Sequence, residues 1–110
     1  MPKDIVSLIP IASIDSSTLG VAYLPINATG LPNGCFIVYL TNDSNQDVLI
    51  SIDGTTTHEV VLQGQRVPLF GQNNSGPGNQ KAYFPKGTVF YAKGTAGTGN
   101  IYLTASYNPD

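Results

Sequence analysis

Cysteine and histidine each occur once in this chain, at Cys35 and His58, and tryptophan does not occur at all. A lone cysteine cannot close an intramolecular disulfide, and one cysteine with one histidine cannot supply the ligands of a zinc site. A single thiol fits synthesis in a reducing cytoplasm. Charge is scarce as well. Asp, Glu, Lys and Arg make up 11% of the chain, less than half the ~25% of an ordinary soluble domain. The formal net charge is −2, and the five basic residues are scattered from Lys3 to Lys93. No cationic patch is present to displace counterions from a phosphate backbone, which argues against nucleic acid as a partner. No apolar run approaches the ~20 residues of a membrane helix, so no membrane partner is expected. After Met1-Pro2-Lys3-Asp4 apolar and polar residues mix, and Pro10 interrupts them. The continuous apolar core of a secretory leader is missing. A helical period of apolar residues is missing too.

What remains is a chain rich in Ser, Thr, Asn, Gln and Gly with 41% hydrophobic residues. Low charge with that much apolar content indicates a folded chain rather than a disordered one. Its 110 residues make one domain, able to bury roughly two-thirds of its unfolded surface. The clearest element is Asp47 to Leu62. Val48, Ile50 and Ile52 alternate with Asp47, Leu49, Ser51 and Asp53, the period of a half-buried strand. Val60 and Leu62 continue the even numbers after a turn. Placing both even-numbered sets on one buried face requires an odd loop, because a one-residue slip inverts every side chain. A three-residue loop with Gly54 at positive φ meets that condition, so Asp53 and Gly54 are assigned as the structural turn.

Other strands follow from the same reasoning. Ile5, Val6, Leu8, Ile9, Ile11 and Ile14 form an aliphatic first segment, and Pro10 within it points to an edge strand or an arm. Thr18 to Ile26 is extended and carries Pro25, and Asn27 to Gly34 is a loop on composition. Cys35 to Leu40 is apolar on both faces, as in a central strand or one flanked by a partner subunit. Arg66 to Phe70 sets Val67 and Leu69 on one face, with Pro68 marking an edge. Gly71 to Asn79 is the longest loop, and Lys81 to Phe84 a short extended piece. Phe84-Pro85-Lys86-Gly87 suits a type I turn with Pro second and Gly fourth. Thr88 to Lys93 is a strand, 93–100 a glycine-rich hairpin loop, and 101–107 a strand with Ile101, Leu103, Ala105 and Tyr107 on one face. The expected fold is all-β: a single-domain β-sandwich or small barrel, jelly-roll-like, of about eight short antiparallel strands. It divides into an aliphatic strand or arm at 1–14 and a β-sandwich at 15–110.

The motifs that invite a chemical reading each have a simpler one. Gly94-Thr95-Ala96-Gly97-Thr98-Gly99 is glycine-rich, but Asn100 and a strand follow where a phosphate loop needs Lys, Ser or Thr and a helix. His58 could be oriented for acid–base work by Asp53 or Glu59. It lacks a nucleophile in a strained turn and reads as structural. Asp53 and Glu59 could act as paired carboxylates, yet turn chemistry accounts for Asp53. Asn27-Ala28-Thr29, Asn42-Asp43-Ser44 and Asn73-Asn74-Ser75 match the glycosylation acceptor pattern by chance in so polar a chain. The tyrosines Tyr23, Tyr39, Tyr83, Tyr91, Tyr102 and Tyr107 suit a core or a protein interface better than a sugar platform without tryptophan.

The run Thr41-Asn42-Asp43-Ser44, Val48 to His58, and Phe84 to Tyr107 resembles small structural proteins of tailed bacteriophages. Among these it is most similar to the capsid decoration, or cement, proteins. The resemblance covers roughly residues 36–107 and rests on turn glycines and alternating strands. It implies a non-enzymatic virion protein made in the bacterial host cytoplasm. Such a protein binds the coat-protein lattice as a homo-oligomer, a dimer or trimer, and has no catalytic residue, metal or cofactor. Residues 5–14 lie outside the resemblance. Their adjacent pairs Ile5/Val6 and Leu8/Ile9 make both strand faces apolar, so Ile5, Val6, Leu8, Ile9, Ile11 and Ile14 are the candidate subunit interface. The alternatives are a collar, tail or head-fibre subunit, or a carbohydrate-binding module for host recognition.

Overall fold

Branched and aromatic residues at alternate positions build two antiparallel sheets in the computed structural model, which describes residues 7–70 and 84–107. The strands are β1 (Ser7–Leu8), β2 (Ala12–Asp15), β3 (Leu24–Pro25), β4 (Ile37–Ser44), β5 (Val48–Ser51), β6 (Glu59–Val61), β7 (Arg66–Phe70), β8 (Tyr91–Gly94) and β9 (Gly99–Tyr107). The helical content among the described residues is one 3-10 turn, Ser16–Thr18, capped by Asp15, whose carboxylate accepts the Ser17 N–H at 2.9 Å.

Sheet A runs β1/β2–β9–β4–β7 and sheet B runs β3–β8–β5–β6. With β1 and β2 taken as two halves of one strand, the chain visits the sheets in the order A, B, A, B, B, A, B, A. That path, with β9 inserted between β1/β2 and β4, is the eight-stranded jelly roll. The core lies between the sheets: Val38 and Leu40 from β4, Ile101, Leu103 and Ala105 from β9, Val48 and Ile50 from β5, Val61, Phe90 and Ala92. Period-two alternation puts each of these inward, as it does in any aligned sandwich.

Proline occupies three of the four sheet edges: Pro10 between β1 and β2, Pro25 in β3 and Pro68 in β7. It has no N–H to offer a passing strand. The first edge carries a second obstacle. Leu8 pairs with Ser106 and Ala12 with Leu103, so residues 9–11 stand opposite 104–105. The extra residue is a β-bulge. On the fourth edge, β6, side chains accept the N–H groups: Glu59 Oε1 that of Val60 at 2.9 Å and Gln65 Oε1 that of Leu62 at 3.1 Å.

Four sequence expectations are corrected. The β5–β6 register pairs Val48 with Val61 and Ile50 with Glu59. Val61 is therefore buried, while Val60, Leu62 and Ile52 face outward. Residues 51–58 lie between the last pair, an even count, which inverts the parity a three-residue loop would have set. Second, 93–100 is not a hairpin loop. β8 belongs to sheet B and β9 to sheet A, so this stretch crosses between sheets. It is tied down where the Gly97 N–H donates to Ser16 O and the Thr98 N–H to Asn45 Oδ1. Third, the turn near Pro85 begins at Pro85 itself: the Thr88 N–H donates to Pro85 O at 3.1 Å. Gly87 then takes the third position with φ 92°, a conformation that suits glycine. Fourth, of the two readings of the first segment, edge strand or arm, residues 7–14 take the edge strand. They form the edge of the chain's own sheet A, and the expected division at residue 14 falls inside β2.

Candidate assembly surface

The aliphatic segment divides its side chains between core and solvent. Ile9 is buried, its N–H donating to Ala105 O at 3.1 Å, and Ile14 packs half-buried against the core. Leu8 is 72% exposed and Ile11 62% exposed. Ile5 and Val6 lie outside the described residues. The bulge explains the split. Alternation from Ile9 would turn Ile11 inward, but the extra residue resets the phase so that Ala12 and Ile14 point in and Ile11 is left out. Beside it runs an apolar groove of about 520 Å³ bordered by Pro10, Ile11, Leu31, Pro32, Thr29 and Lys86. Exposed aliphatic residues beside such a groove, on an edge whose backbone is blocked to strand addition, can bind a partner through side-chain burial. Each buried Leu or Ile is worth roughly 1.5–3 kcal/mol.

The other singled-out residues have structural roles. Asp53 gathers the β5–β6 loop: its carboxylate accepts the N–H groups of Thr55 and Thr56, each at 2.8 Å, and the Ser51 hydroxyl. Those bonds, Thr56 first, then Thr55, then Ser51, hold its pKa well below the usual carboxylate range. The Ser51 hydroxyl oxygen in turn accepts the Gly54 N–H at 2.9 Å, and Gly54 has φ 83°. The loop lies over the outer face of sheet B, where the hydroxyls of Thr57 and Tyr23 are hydrogen-bonded. A Cβ on Gly54 would sit 3.5 Å from the Tyr91 ring. His58 closes the loop, accepting the Ile52 N–H at its Nδ1 and donating its own N–H to Ile50 O. Neither Asp53 nor Glu59 bonds it. A cleft of about 400 Å³ between His58, Glu59, Ile52, Pro68, Leu69 and Phe84 is mostly apolar.

Cys35 is buried, its thiol donating to Asn33 O at 3.3 Å, and burial raises its pKa. Two of the three acceptor-pattern asparagines are core residues, a role composition did not reveal. Asn27 donates to Thr88 O and accepts the Phe90 N–H, standing in for a strand residue beside 88–90. Asn42 is fully buried and donates to Gln46 O and Val61 O. Asn73 lies outside the described residues. Among the described residues no three His, Cys, Asp or Glu side chains converge as metal ligands, and no helix is long and apolar enough to cross a membrane.

No protein-family model matches the chain, and no curated protein matches it. It is similar to a solved structure from work on the disulfide-linked pili of Bacillus endospore appendages, with 16% identity and a TM-score of 0.48 over 100% of this chain and 96% of that one. A likeness at that level carries no inference about function. None of these comparisons supports the expected resemblance to phage decoration proteins.

Proposed function

We propose that this chain is a non-enzymatic structural subunit of a virus particle: a decoration protein that binds the coat-protein lattice of a tailed-bacteriophage capsid as a homo-oligomer after synthesis in the host cytoplasm. The observation that carries this reading is Ile11, left exposed beside an apolar groove, with Leu8 exposed on the same edge, which refuses further strands. Such a patch is what a side-chain docking contact requires. The jelly roll is compatible with the reading, since capsid and lectin domains share it, but fold alone assigns no role. The test is co-sedimentation of the purified protein with undecorated capsids of its phage. Saturable binding that is lost in the double variant Leu8→Ser/Ile11→Ser supports the proposal. Binding to tails or collars but not to capsids, or strong signals on a glycan array without particle binding, would move the protein to another role.

A further inference from the structure

The two outer sheet faces differ. That of sheet B is roofed by the β5–β6 loop, with Tyr23 bonded to Thr57 and Tyr91 beneath Gly54. The outer face of sheet A has no such roof among the described residues. Register and alternation lay it out in rows. Ser13, Tyr102, Thr41 and Arg66 form one row across β2, β9, β4 and β7. Thr104, Tyr39 and Pro68 form the row above it, with Leu8, Ser106 and Ile37 beyond. Asp15, Asn100 and Asp43 lie below. Ile37, Tyr39, Thr41, Tyr102 and Thr104 are partly buried, and Ser106 is buried. Tyr39, Tyr102 and Arg66 are residue types enriched at recognition surfaces, and the acidic residues Asp15 and Asp43 lie at the lower rim of the face.

We infer that this face pairs with the same face of a second copy, about a twofold axis parallel to the strands and passing between β9 and β4. This refines the assembly reading above and depends on it only for the expectation that the chain associates. Two in-plane axes are available to sheets packed face to face. An axis across the strands would put Leu8 against Asp15, apolar against charged. The axis along the strands exchanges β2 with β7 and β9 with β4. It brings Arg66 of each copy over the Ser13–Asp15 edge of the other, making two symmetric ion pairs. It also sets Tyr39 against Thr104 and Tyr102 against Thr41, each a ring with a hydroxyl partner. Arg66 is already oriented over this face, its guanidinium 4.1 Å from the Tyr39 ring centroid. Four strands at ~4.8 Å and about seven residues at ~3.4 Å give roughly 450 Å² per copy, or roughly 900 Å² for the pair. That is well below the ~1,600 Å² of a standard specific interface and just under its ~1,000 Å² floor, the size of a weak, reversible contact.

Sedimentation equilibrium across a wide concentration range tests this on the full chain. The expected result is a mass rising from one chain toward two. Arg66→Glu sets like charges against Asp15 and should weaken the dimer more than ~tenfold. The double exchange Asp15→Arg/Arg66→Glu should restore association, an outcome that loss of folding cannot mimic. Thr104→Arg, at the centre of the face, should leave a folded monomer by circular dichroism. A parent chain that stays monomeric at every concentration overturns the inference, as does a dimer indifferent to Thr104→Arg. A monomer whose Tyr39 and Tyr102 resonances shift with added oligosaccharide assigns the face to a sugar instead. Capsid co-sedimentation of the Thr104→Arg monomer reports separately on the docking role of Ile11 and its groove.

Discussion

Replacing Asn42 by alanine is expected to cost more than any other truncation of a polar side chain in this protein. Asn42 is fully buried at the inner face of β4, between sheets. Its Nδ2 donates to Gln46 O at 2.7 Å and to Val61 O at 3.0 Å, while its Oδ1 accepts the Ser44 N–H at 3.1 Å. The bond to Val61 crosses from sheet A to sheet B. Removing the amide unties β4 from Val61 of the other sheet and loosens the turn into β5, although Val61 keeps its ladder partner Val48 and the Gln46 carbonyl keeps the Ser44 hydroxyl. Three hydrogen bonds of a buried side chain, at ~1 kcal/mol net each, give a loss of roughly 3 kcal/mol. An unfolding entropy of ~2.1 cal/mol/K per residue converts that to a fall in Tm of roughly 12 °C for a domain of this size. Denaturant titration and calorimetry would measure both. Thr41→Ala, on the outer face of the same strand, is the control and should shift stability by less than ~0.5 kcal/mol. Asn42→Asp adds a sign test. A carboxylate there faces two carbonyls, so its folded pKa rises above the unfolded value of ~3.9. The variant should approach the parent below about pH 4 and lose stability as pH rises past it. An Asn42→Ala protein melting within about 2 °C of the parent would refute the reasoning, as would an Asn42→Asp protein with no such pH trend.

Two glycines should separate backbone strain from overlap. At Gly54 a Cβ meets the Tyr91 ring at an ordinary 3.5 Å, so Gly54→Ala should cost only the left-handed strain, ~1 kcal/mol. At Gly99, φ 108°, a Cβ would overlap the Asp43 carbonyl oxygen, and Gly99→Ala should cost clearly more in the same melts. The hydrogen bonds that lower the Asp53 pKa stabilise the loop in full above the unfolded carboxylate value of ~3.9, and that contribution is lost as pH falls from there through the lowered folded value. The hydrogen-exchange protection factors of Thr55 and Thr56, relative to the intrinsic rate at each pH, should therefore fall in acid, and Asp53→Asn should flatten that response. Cys35, buried with a raised pKa, should resist thiol reagents in the native protein and react at the rate of unfolding.

Much of the fold was legible because each strand carries its own alternation. β7 and β9 were read within one or two residues, β4 was found but runs four residues past the expected Leu40, and Pro10, Pro25 and Pro68 do mark edges, since no proline can donate to a ladder. What alternation does not encode is partnership. Tyr91–Gly94 and Gly99–Tyr107 look like the arms of a hairpin, yet β9 pairs with β4 and β2 and β8 with β5 and β3. A glycine-rich connection permits either. The β5–β6 parity failed for a related reason. Loop length was inferred from a glycine, while the loop is set by the Ser51 and Asp53 side chains. The docking candidates were half legible. Six aliphatic residues signalled excess apolar surface, but which of them remain outside depends on a bulge that two neighbouring registers reveal and one sequence does not.

The position of β9 has a consequence for biosynthesis. This strand lies in the middle of sheet A, yet every strand it contacts leaves the ribosome before it does. Until it arrives, β2 and β4 cannot meet, and the inward faces of Val38, Leu40 and Ile14 wait without their cover. Completion of the sandwich is therefore a long-range event that waits on the strand made after all its partners, slow by the logic of contact order.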